Sequence, residues 1–117
     1  MTPRISLFAF ALAACPAVAS AAGEAGELVR GFCLDCHGAA VRKGGLDLEA
    51  LDAARPEVAA ERWEAVVRKL HHRQMPPPGE ARPSEDAYRE AVAELTGSLD
   101  RAAAAAPDPG RTDTLRR

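Results

Sequence analysis

Large apolar side chains occur in clusters along the chain, and the spacing inside each cluster predicts an element. Leu28, Val29 and Phe32 stand at i, i+1 and i+4, one face of a short helix over Gly23 to Phe32. Leu46, Leu48 and Leu51 lie in the stretch 38–55, which also holds Gly38, Gly44 and Gly45 and suits a loop folded over an apolar surface. Val58, Trp63, Val66, Val67 and Leu70 return at helical spacing. Pro56 fits the first position of that helix, Glu57, Glu61 and Glu64 lie towards its positive end, and Arg68, Lys69 and Arg73 towards its negative end. Met75-Pro76-Pro77-Pro78-Gly79 must stop it, because proline has no backbone N–H to donate and pushes the preceding residue out of the helical region. Ser84 then caps a long helix, with Glu85 and Asp86 in its first turn and Tyr88, Val92, Leu95 and Leu99 along one face, ending at Pro107 at the latest. No strand pattern or internal repeat is visible. The pattern predicts a small all-α domain of about three helices and loops.

The two ends read differently. Met1-Thr2-Pro3-Arg4, the apolar run Ile5 to Val18 and the small residues through Gly23 have the layout of a secretory signal. The run is too short to span a bilayer comfortably, and Pro16 breaks it. Cleavage fits after Ala17-Val18-Ala19 or Ala19-Ser20-Ala21, while Leu12-Ala13-Ala14-Cys15 resembles a bacterial lipobox in which Cys15 becomes lipidated. The expected organisation is a signal peptide at 1–21, one domain at 22–106 and a linker-like or disordered tail at 107–117. An exported, periplasmic protein follows, with membrane attachment only through lipid on Cys15.

Composition narrows the class of function. Of the 117 residues, 47% are hydrophobic, but alanine supplies nearly half of these and aromatics are only 4%, so few large side chains are available for a dry core. Something other than protein is expected to complete it. Net charge is -2 with no block of like charge, which argues against nucleic acid as a partner.

Three cysteines are an awkward number for an exported chain until Cys15 leaves with the signal or carries lipid. Cys33-Leu34-Asp35-Cys36-His37 remains, and this Cys-x-x-Cys-His spacing can hold haem c. Both thiols reach neighbouring vinyl groups of the porphyrin, and the adjacent imidazole coordinates iron from the proximal side. Zinc would need further ligands from His71 and a second histidine. A thioredoxin-like dithiol would need a βαβ unit that the sequence does not contain. Met75, the only methionine besides the initiator, is the candidate for the second axial position, reached by one loop and one helix, and the prolines after it stiffen its segment. His71 and His72 compete for that position, or serve simply as a polar last turn favourable to the helix dipole. Core packing is the default for Phe32, Trp63 and Tyr88, compatible with haem contact. Asp35, Arg42 and Lys43 read as solvated surface, with Arg42 or Lys43 as candidates to offset the propionate charges of a haem.

With these residues in hand, the chain resembles the planctomycete-type cytochrome c domain, a small class I-like module usually found at the N-terminus of large exported bacterial proteins. The resemblance runs from about Leu28 to Gly110. It rests on Phe32-Cys33-Leu34-Asp35-Cys36-His37-Gly38, Lys43-Gly44-Gly45-Leu46-Asp47-Leu48, Trp63-Glu64-Ala65-Val66-Val67-Arg68-Lys69-Leu70 and Met75-Pro76-Pro77-Pro78-Gly79. It implies one covalently attached haem c per chain, with Cys33 and Cys36 as attachment points, His37 as proximal ligand and Met75 as distal ligand. The expected role is single-electron transfer rather than catalysis by protein groups. Redox partner proteins or a missing downstream domain would be its partners, since relatives continue into large domains; the chain is expected to be either a truncated product or a free-standing carrier. The alternatives from other classes are a haem-dependent enzyme or gas or peroxide sensor with an open or histidine-ligated distal site, and a zinc-binding structural module.

Overall fold

The computed structural model describes residues 23–107. The expected signal at 1–21, with Cys15, and the tail beyond Pro107 lie outside the described residues. Four α-helices follow in order: α1 (Gly23–Phe32), α2 (Leu34–His37), α3 (Ala60–His71) and α4 (Glu85–Ala105). Short 3-10 turns at Lys43–Gly45 and Pro56–Ala59 interrupt the loop between α2 and α3. The expected all-α class holds, and the described residues contain no strand. The extra element beyond three is the one-turn α2. It arises because the Cys33 and His37 amides keep donating to carbonyls four residues back, Val29 and Cys33, at 3.0 and 2.8 Å.

Each helix end has a physical cause. Ser84 Oγ accepts from the Ala87 amide at 3.1 Å and caps α4, a contact worth about 1 kcal/mol. The Ala25 amide at the start of α1 donates to Glu94 Oε2 of α4 at 3.1 Å, placing a carboxylate at the positive end of that helix. At the end of α3, the Arg73 amide donates to Leu70 O and the Gln74 amide to Lys69 O, the paired bonds of a Schellman closure.

α4 is the backbone of the packing, lying against α1 and α3. Its face Tyr88, Ala91 and Leu95 is buried against Ala25, Leu28 and Val29 of α1 and Trp63, Val66 and Leu70 of α3, with Leu48 from the loop completing the core. Ala91, which leaves room for the neighbouring helices, has no accessible surface. Val67, Val92 and Leu99 flank the core half-buried.

Two expected core residues are not in it. Val58 is 74% exposed. It lies in the 3-10 turn, and its spacing to Trp63 would match one helical face only if an α-helix began at Pro56; Ala59, at φ -136°, breaks that register. Phe32 continues the stripe Ala25, Leu28, Val29 at the correct spacing but is 38% exposed, because the stripe outruns the core at the end of α1.

Candidate functional site

The Cys-x-x-Cys-His segment is built on a bend. α1 ends at Phe32, and α2 carries Cys36 and His37 in its single turn. Gly38 follows, donating to Leu34 O at 2.8 Å, and a Cβ there would lie 2.6 Å from that same oxygen. Its φ of -84° is open to any residue, so glycine is required here for space and not for conformation. Two further bonds tie the loop to this turn: the Leu48 amide donates to His37 O at 2.7 Å, and the Ala39 amide to Glu49 Oε2 at 2.6 Å. Gly44 and Gly45, at φ 65° and 73°, turn the loop back across the site through the left-handed region.

Between this segment and α3 lies a cleft of about 820 Å³, counting the space at its mouth. Cys33, His37 and Met75 all line it. Leu46, Leu48, Val66 and Leu70 give it apolar walls, and Ala65 leaves its α3 side low. Lys43, Arg62 and Lys69 add three cations to the lining, each on a residue otherwise exposed to solvent. A second hollow, on the far side of Leu48, is lined by α1, the 48–54 loop and Leu34, but by neither cysteine nor the histidine of the Cys-x-x-Cys-His segment.

The expected site residues divide as follows. Cys33, His37 and Met75 share the cleft; Cys36 does not line it, and its sulfur instead accepts from Lys43 Nζ at 3.6 Å. Cys33 is half-buried, its Sγ 3.9 Å from Leu28 O. Burial, and secondarily the neighbouring Cys36, pushes the Cys33 thiol up from 9.0 to about 11. His37 Nδ1 is buried without a hydrogen-bond partner, as is the indole Nε1 of Trp63. His71 and His72 are exposed, their rings edge to face at 5.0 Å, and neither lines the cleft. Among the described residues no three His, Cys, Asp or Glu side chains converge as a metal-binding group. Arg42 is held by Asp47 at 3.0 Å and stays outside the lining, whereas Lys43 belongs to it.

Arg62 and Ala65 were not legible as site residues from the sequence. A signal existed: Arg62, Ala65, Val66 and Lys69 recur at i, i+3, i+4 and i+7 beside the buried stripe of α3, a polar-edged face with one small residue in it.

Comparison with known proteins adds one finding. Residues 33–79 match the family described as Planctomycete cytochrome C, a narrower span than the resemblance read from the sequence. No curated protein and no solved structure matches the chain. The matched residues run from Cys33 through Gly79 at the end of the proline-rich turn and so include every residue that lines the cleft. Over residues 33–79 the chain is therefore similar to the planctomycete cytochrome C family, a likeness that points to a haem-binding c-type cytochrome with haem c as its cofactor.

Proposed function

We propose that the chain is an exported monohaem c-type cytochrome that carries single electrons, with haem bonded through Cys33 and Cys36 and iron held between His37 and Met75. One observation carries the reading: a thiol, an imidazole and a thioether border the same apolar cleft, and the competing histidines lie outside it. The residues present fit the group. A porphyrin is a broad apolar disc with two carboxylates at one edge, and the cleft combines aliphatic walls with Lys43, Arg62 and Lys69. Cys36 lies beside Lys43 at the edge of this lining, within one helical turn of Cys33.

Haem bound there supplies a ferrous–ferric couple, gaining or losing one electron without any bond-making by protein groups. The chain sets the conditions. Leu46, Leu48, Val66 and Leu70 exclude water from the pocket, and a thioether donor favours the ferrous form, so the potential is comparatively high. The tie from the Leu48 amide to His37 O holds the imidazole-bearing turn in place. Two sulfur attachments keep the cofactor from being lost outside the cytoplasm, and its apolar faces supply the buried surface that a chain with 4% aromatics lacks. Partners are one-electron redox proteins or a downstream domain, and membrane association arises only through lipid on Cys15.

The test is expression in a host with a c-type maturation system, followed by mass spectrometry and spectroscopy beside Met75→Ala and His72→Ala. The expected product is heavier by one haem that resists acid-acetone extraction. Its low-spin spectrum should change in the Met75 variant and stay unchanged in the His72 variant. A colourless protein of unmodified mass rejects the proposal, and an unchanged Met75→Ala spectrum rejects the assigned ligand.

A further inference from the structure

Met75 is 37% exposed, so packing on its side chain does little to hold it. Its backbone is held instead. The Tyr88 hydroxyl donates to Met75 O at 3.0 Å, from a buried side chain, only 1% exposed, in the first turn of α4. Tyr88 is the only tyrosine of the chain.

The ring of Tyr88 is covered in turn by Arg73, whose guanidinium carbon lies 4.4 Å from its centroid. That guanidinium also makes a two-nitrogen contact with the Glu85 carboxylate at 2.8 to 3.2 Å and donates to Leu70 O and His71 O at 2.7 and 3.1 Å. Arg73 sits at φ 54°, in the left-handed position just past the end of α3 that usually belongs to glycine. A glycine would close the helix with less strain and could make none of these side-chain contacts. Arg82 completes the arrangement by donating to Arg73 O at 2.7 Å.

We propose that Tyr88 and Arg73 form a clamp that positions Met75: the tyrosine fixes the backbone of the residue, and the strained arginine fixes the tyrosine and the end of α3 to α4. The clamp governs how readily the cleft admits an external ligand in place of the thioether. This inference rests on Met75 being the sixth ligand, as proposed above. Neither clamp residue lines the cleft, so both are positioning residues acting through Met75.

The experiment measures cyanide and imidazole binding to the ferric holoprotein by stopped flow, in wild type, Tyr88→Phe, Arg73→Gly, Met75→Ala and Leu95→Ala. The last deletes core volume without touching the clamp. Tyr88→Phe and Arg73→Gly should keep the wild-type resting spectrum yet bind ligand roughly five- to tenfold faster, the change that one neutral hydrogen bond corresponds to. Leu95→Ala should lower the urea midpoint and leave the ligand-binding rate alone. Arg73→Gly should bind faster without a matching loss in the urea midpoint, because the strained position is relieved. Wild-type rates in both clamp variants, with Met75→Ala opened, overturn the clamp and leave the ligand assignment standing. Equal acceleration in Leu95→Ala overturns it as well, by making the effect one of general stability. A Met75→Ala protein that behaves as wild type overturns the ligand assignment and the clamp with it.

Discussion

Gly38→Ala places one methyl group at the tightest point of the haem-motif turn. An added Cβ would lie 2.6 Å from Leu34 O and 3.3 Å from Glu49 Oε2. The second neighbour is the end of a flexible side chain and can move. The first is a helix carbonyl that already accepts from the Gly38 amide at 2.8 Å, so separation of the methyl from the oxygen strains or breaks that bond. Backbone dihedrals add nothing, since φ -84°, ψ 171° suits alanine. Overpacking of this kind costs about 1–3 kcal/mol and a lost hydrogen bond about 1 kcal/mol, while reduced freedom of the unfolded chain returns about 0.4–1 kcal/mol. A net loss of about 2 kcal/mol corresponds to a midpoint lower by roughly 8–16 °C in a domain of this size. The displaced turn also carries His37 O, the acceptor for Leu48, so the disturbance reaches the imidazole. Thermal unfolding of the holoprotein followed at the Soret band and by far-ultraviolet circular dichroism gives both readings. A Gly38→Ala protein melting within about 2 °C of wild type, with full haem incorporation, would show that the Leu34 carbonyl is free to move and that space is not the reason for glycine.

Three further outcomes follow from charge and burial. In chain produced without haem, Cys36 should be alkylated before Cys33 at pH 8, and the Cys33 rate should rise only as pH approaches about 11; simultaneous labelling would show that Cys33 is not shielded. Because the folded chain raises this pKa from 9.0, its neutral thiol contributes stability fully present below pH 9.0 and lost as pH rises through about 11, which urea melts of the same material across that window will register. Replacing both Arg62 and Lys69 by Met removes two cations from the cleft lining, which should lower the reduction potential on the order of 20 mV at low salt, equivalent to about 0.5 kcal/mol, with the difference shrinking as salt is added; potentiometric titration showing no shift would place these cations too far from the iron to matter.

The strain at Arg73 illustrates how local and global demands diverge in this fold. The sequence 71–75 offers no glycine where α3 must close, and by propensity the closure is poor. The closure nonetheless forms with both Schellman bonds, because a guanidinium that reaches helix carbonyls, a carboxylate and an aromatic face compensates a single left-handed residue. Local pattern alone cannot show such a compensation, since Glu85 and Tyr88 belong to another helix.

By itself the sequence marked the three longer helices and the residues of the candidate chemistry. Helical spacing of Trp63, Val66 and Leu70, the cap at Ser84 and the proline run after Met75 are local signals, and each acts within a few residues of where it is read. The Cys33-Leu34-Asp35-Cys36-His37 segment is legible for the same reason, its chemistry residing in near neighbours. What only the tertiary structure decided depends on residues brought together from separate elements. Phe32 continues an apolar stripe perfectly well, yet the core ends before it; Val58 has the right spacing, yet a 3-10 turn rotates it into solvent. Likewise Arg62 rather than Arg42 reaches the cleft, because Arg42 is paired to Asp47 while α3 turns Arg62 towards the site. Periodicity states which face of a helix is apolar, but burial is a property of whatever packs against that face, and packing is settled among all the helices together.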